Sequence, residues 1–99
     1  MARIIVEHVF DPPVSEADLA TFAKRLDACL ELRGAAWRRS NVATDGRRMT
    51  CEFDAPDAEA VRQSLRAAAV PFERAWTSQC FAVEDFPEAL EKLRKLTVK

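Results

Sequence analysis

The chain has 99 residues, of which 48% are hydrophobic. That is enough for one modest core and too little for two, so a single domain over residues 1–99 is expected. Lysine and arginine total 15 against 16 aspartate and glutamate, giving a net charge of −1, so there is no overall positive field and neither nucleic acid nor an anionic membrane is an expected partner. No apolar run of about 18 residues is present for a membrane span. The opening "MARIIVEHVFDPP" lacks the apolar stretch and small-residue cleavage site of a secretion signal, which makes a cytoplasmic location the expectation.

The elements follow in order. "RIIVEHVF", Arg3 to Phe10, is β-branched and aromatic until Asp11-Pro12-Pro13 stops it, which predicts a first strand. Ser15 and Asp18 stand at capping-box spacing, and Leu19, Phe22, Ala23, Leu26, Cys29 and Leu30 recur at helical period, predicting a helix from Glu16 to Arg33. Asp45-Gly46 between two extended runs predicts a hairpin with a type I′ turn, its strands at Ala36–Thr44 and Arg47–Phe53. Asp57 can cap a second helix with Val61, Leu65 and Ala68 on one face, ended by Val70-Pro71. "FERAWTSQCFAV" reads as a fourth strand, and Asp85-Phe86-Pro87-Glu88 opens a closing helix with Leu90, Leu93 and Leu96 in a stripe. The order is that of an α+β, ferredoxin-like βαββαβ unit: a four-stranded antiparallel sheet with two helices on one face, plus a short C-terminal helix. The other face is left for solvent, a ligand or a second subunit.

A two-residue turn at Asp45-Gly46 sets the hairpin register. Arg39 then faces Glu52, Asn41 faces Thr50, Trp37 faces Asp54, Val42 faces Met49, Ser40 faces Cys51 and Arg38 faces Phe53. The Val42, Met49, Cys51 and Phe53 side is apolar and belongs under the helices. Trp37, Arg39, Asn41, Arg48, Thr50 and Glu52 belong to the open face, while Arg38 and Arg47 are sent to the other side. Four arginines split in this way do not make a phosphate-gripping arm. Arg39 opposite Glu52 reads either as a cross-strand charge pair or as part of a site. In the first strand alternation sets Ile4, Val6, His8 and Phe10 on one face and Ile5, Glu7 and Val9 on the other. The open face thus gathers Glu7, Trp37, Arg39, Asn41 and Glu52 as candidate ligand-binding residues. Its mixed apolar and charged character suits burial in a homodimer formed through sheet faces.

His8, in phase with Ile4, Val6 and Phe10, reads as a hydrogen-bonded core or edge residue rather than a base. Cys29, Cys51 and Cys80 have no C-x-x-C spacing and are odd in number, which points to reduced thiols rather than a disulfide framework or a zinc site. Glycine-rich phosphate loops and nucleophilic triads are absent from the sequence.

"RIIVEHVF", "GAAWRRSNVATDGRRMTCEFDAPDAEAVR" and "VPFER" resemble a small bacterial family of unknown function that includes a nickel-binding ferredoxin-like protein. The more specific elements are Glu7-His8, Trp37 with Ser40, and Cys51 with Asp54-Ala55-Pro56. The resemblance implies a ferredoxin-like dimer and, in at least one relative, metal binding, for which Glu7 and His8 are the matching candidates. The family pattern has a histidine where Arg39 stands and a tyrosine where Asn41 stands. A guanidinium suits an anion rather than a metal ion.

The expected function is therefore that of a homodimeric binding protein without a resident cofactor, holding a small anionic molecule or its own partner on the open sheet face. Binding of nickel or another divalent metal is one alternative. A cofactor-free dimeric ferredoxin-like oxygenase or isomerase is another, by architecture alone, although the sequence offers no acid, base and nucleophile set.

Overall fold

Ile4, Val6 and His8 are buried along β1 (Ala2–Val9) while their neighbours are less covered, as alternation requires of a strand with one packed face. This computed structural model describes residues 1–97, with side chains as far as Lys95. After β1 come α1 (Glu16–Leu32), β2 (Ala36–Val42), β3 (Arg48–Ala55), α2 (Ala58–Ala67), β4 (Arg74–Ser78), a 3-10 turn (Val83–Asp85) and α3 (Glu88–Thr97). The strands form one antiparallel sheet in the order β2-β3-β1-β4, the order of a ferredoxin-like unit. Leu26 and Leu30 of α1 and Val61 and Leu65 of α2 close over Ile4, Val6, Cys51 and Phe53 in one core. Among the described residues no helix lies on the opposite face of the sheet.

The expected caps of the first two helices form. Ser15 Oγ accepts from Asp18 N and the Asp18 carboxylate accepts from Ser15 N, while Asp57 Oδ1 accepts from Ala60 N. The second helix stops before Val70-Pro71, at Ala67, because Ala69 turns to a φ of 55° and Val70 N donates back to Leu65 O at 2.9 Å. An alanine in that left-handed region carries a Cβ clash that glycine avoids. Ala69→Gly is therefore expected to stabilise the fold by about 0.5–1 kcal/mol, read as a raised thermal midpoint.

Two strand expectations change. The hairpin has a four-residue loop rather than a type I′ turn: Ala43 N donates to Arg48 O, Gly46 N donates to Ala43 O, and only Gly46 takes a positive φ, of 74°. Its backbone is engaged elsewhere, since Gly46 O accepts from Val14 N and Arg47 O from Phe10 N. A Cβ on Gly46 would lie 3.0 Å from Val14 O. The loop remains centred on Asp45-Gly46, so the pairing of Ser40, Asn41 and Val42 is as expected. The fourth strand ends at Ser78, well short of Val83, because Ser78 already pairs with Arg3 near the start of β1 and the following residues run out of partner.

The chain beyond β4 forms an arm. Asp85 lies in the 3-10 turn rather than capping α3, Phe81 and Phe86 pack edge-to-face at 5.6 Å, and α3 lies against that turn and no other helix or strand among the described residues. Leu90 and Leu93 of the expected stripe are partly exposed; the side chain of Leu96 lies outside the described residues.

Candidate functional site

One extra residue in β2 reorganises the expected site. Arg39 pairs with Glu52 as predicted, but the register shifts between Trp37 and Arg39, and Trp37 pairs with Phe53 instead of Asp54. This bulge at Arg38 reverses the phase of everything before it. Trp37 is thereby turned to the helix side, where its ring meets Phe53 at 5.9 Å, so it is not an open-face ligand residue. Arg38 moves the other way and joins Asp54 on the open face.

Under the helices the residues of the family motif form a directed chain of hydrogen bonds. Trp37 Nε1 donates to Ser40 Oγ at 2.8 Å, and Ser40 Oγ donates to Cys51 Sγ at 2.9 Å. His8 Nδ1 lies 2.7 Å from the Pro71 carbonyl, which can only accept, so Nδ1 carries the proton and Nε2 is left to accept from Cys51 Sγ at 3.6 Å. Burial lowers the His8 pKa, and the bond to Pro71 opposes that shift. Burial likewise pushes the Cys51 thiol up to about 11, against the donation from Ser40. With Cys51 1% and His8 2% exposed, the pair is a protonated thiol on a neutral imidazole, closed to substrate. Its chemistry is structural.

The open face carries Arg3, Ile5 and Glu7 from β1, Arg38, Arg39 and Asn41 from β2, Arg48, Thr50, Glu52 and Asp54 from β3, and Arg74 and Trp76 from β4. Arg3 bridges Glu52 at 2.9 Å and Asp54 at 3.0 Å, and Arg38 takes the other Asp54 oxygen. Hydrogen bonds from Arg38 first, then Arg3, hold the Asp54 carboxyl below the usual carboxylate range. Glu52 also meets Arg39 at 3.5 Å, while Glu7 accepts from Trp76 Nε1 at 2.9 Å and faces Arg74 at 3.5 Å. The carboxylates lie low, with side chains 22% exposed for Glu52 and Asp54 and 37% for Glu7; Arg38, Arg39 and Arg74 stand above them at 54%, 68% and 71%. The outer layer is cationic although the chain as a whole is not.

Of the expected ligand-binding residues, Glu7, Arg39, Asn41 and Glu52 share this face and Trp37 does not. Arg39 reaches Glu52, whereas Glu7 is held by β4. Arg3 and Trp76 were not anticipated. Both were within reach of alternation, since Arg3 is in phase with Ile5 and Glu7, and Trp76 lies opposite Ile5. Next to Trp76 the face hollows into a cleft of about 480 Å³ lined by Arg3, Ile5, Glu52, Trp76, Cys80 and Phe81, among others. Glu7 and His8, the expected metal pair, point to opposite faces of β1 and do not converge. Within the single chain Arg39→Ala is expected to cost under about 1 kcal/mol, as exposed pairs do, and Glu52→Ala to behave differently because it also releases Arg3. Urea unfolding at low protein concentration, on both single variants and the double, measures this.

These features define a small α+β protein of ferredoxin-like strand order with a charged, open sheet face. The chain belongs to the family described as "Nickel responsive protein SCO4226-like", whose model matches residues 4–77. Among solved structures it is similar to that of SCO4226 from Streptomyces coelicolor A3(2), with a TM-score of 0.74 at 15% identity, over 82% of this chain and 100% of that one. At that identity the likeness speaks for the fold alone. No curated protein matches the chain.

Proposed function

We propose that the protein is a small homodimeric binding protein that pairs through its open sheet face and holds a small anion there. One observation carries this reading: guanidinium groups form the outermost layer of the face, above carboxylates already engaged from below, beside the apolar walls of Ile5, Trp76 and Phe81. Such a surface offers charge for an anionic group and area for an apolar body. Face-to-face pairing would cover Ile5 and Trp76, the latter 44% exposed in the single chain. Calorimetric titration with benzoate and with inorganic phosphate tests the ligand class. Heat with benzoate that falls away in Trp76→Ala and Arg39→Ala supports the reading; no heat with either probe, together with no small molecule retained in native mass spectrometry of protein from its own host, contradicts it.

Nickel binding is the second reading, supported by the family's name. The residues expected to serve it do not fit as a pair, because Glu7 is on the open face and both ring nitrogens of His8 are engaged in the core. Among the described residues no group of three or more His, Cys, Asp and Glu side chains gathers where it could hold an ion. Titration with nickel separates the two readings, and a heat that persists in His8→Phe would detach it from the buried histidine.

A further inference from the structure

The arm after β4 continues past the last paired residue of the sheet and takes no part in the core between sheet and helices. A helix of about ten residues is marginal in water without packing, and among the described residues α3 lies against the 3-10 turn before it and against no other helix or strand. Val83 is 79% exposed, Phe86 43% and Leu90 37%, so the arm presents an apolar surface that its own sheet and helices leave uncovered. Charge is segregated along it. From Val83 to Glu91 it carries Glu84, Asp85, Glu88 and Glu91 with no lysine or arginine; the basic residues begin at Lys92. The first three of those carboxylates line a hollow of about 400 Å³ with Phe81, Ala89 and Lys92.

The acidic stretch complements the cationic outer layer of the open face, and the arm starts beside that face. Cys80 and Phe81 line the cleft together with Ile5 and Trp76. A second copy set against the open sheet would therefore meet the arm as it leaves. The family match stops at residue 77, ahead of the arm, so this contact would be a feature added to the shared domain.

We infer that the arm is an interaction element for a second copy of this chain, its acidic and apolar side lying across that copy's Arg39 and Arg74. This rests on the open-face pairing proposed above and adds to it the element that clasps the pair. The hollow bounded by Phe81, Glu84, Asp85 and Glu88 receives a guanidinium of the facing copy, held by carboxylates and by the aromatic ring.

Sedimentation of the 99-residue chain tests this, using E84K/D85K/E88K, R39E/R74E and the chain carrying all five changes. Every altered side chain is exposed, and circular dichroism checks that the fold is kept. The expected result is a dimer whose dissociation constant rises by roughly tenfold or more in each set and recovers in the combined chain, where the charges are exchanged. If R39E/R74E weakens the dimer while the arm reversal does not, the arm inference falls and the open-face pairing stands. If both sets leave an existing dimer unchanged, or the unaltered chain is a monomer throughout, both fall.

Discussion

Replacing His8 with alanine is expected to cost about 3 kcal/mol or more of folding stability. Two costs combine. Removing a ring that is 2% exposed and stacked on Phe10 at 5.7 Å leaves a cavity, and the Pro71 carbonyl and Cys51 thiol lose their shared partner. The same residue sets a pH dependence. Burial holds its folded pKa below the 6.5 of the free imidazole, so below that pH the unfolded chain binds a proton that the folded chain resists. The contribution is complete above about pH 6.5 and is lost as pH falls toward the folded pKa, at no more than about 1.4 kcal/mol per pH unit. His8→Phe keeps an aromatic ring against Phe10 and removes the titration. Urea unfolding between about pH 5 and 8 should show this component of the slope in the natural chain and its absence in His8→Phe. An unchanged slope would mean that the imidazole does not resist protonation in the fold.

The two tryptophans are expected to separate stability from binding. Trp37→Ala should cost about 2–3 kcal/mol, since the ring packs on the fully buried Phe53 and its Nε1 heads the hydrogen-bond chain through Ser40 to Cys51. Trp76→Ala should cost under about 1 kcal/mol in the single chain, because that ring is 44% exposed and its bond to Glu7 lies at the surface. For binding the order reverses: benzoate heat and self-association should survive in Trp37→Ala where the fold persists, and fall in Trp76→Ala. Thermal unfolding and calorimetry on both variants give the comparison. Equal stability losses would contradict the placement of the two rings on opposite faces.

That contrast also shows where reading the sequence stops. Asp45-Gly46 marks the centre of the hairpin, and since the loop grows by one residue on each side the register survives its change of type; Arg39 and Glu52 are opposed as predicted. Counting by twos has no mark for a bulge. "AWRRSNV" alternates no differently with or without an extra residue at Arg38, yet that residue sends Trp37 inward and Arg38 outward. The length of β4 was hidden for a different reason. "SQCFAV" is as strand-prone as the residues before it, but a strand needs a partner, and Ser78 already reaches Arg3 of β1. Propensity belongs to the segment and pairing belongs to the sheet. His8 was legible because its phase with Ile4 and Val6 is simple alternation, whereas the bonds that satisfy it come from Pro71 and Cys51, distant in sequence.

The most direct test of the open face as the binding surface is the fluorescence of Trp76 alone. The chain has two tryptophans, and Trp37→Phe leaves Trp76 as the single indole, seated between Ile5 and Glu7 on the uncovered side of the sheet. Emission is recorded as protein concentration rises and again as benzoate is added. The expected result is a spectrum typical of a half-exposed indole at low concentration, moving to shorter wavelength as pairing or the anion removes water from the ring. Emission that stays at the solvent-exposed position at every concentration, with and without benzoate, would contradict the assignment of this face to binding.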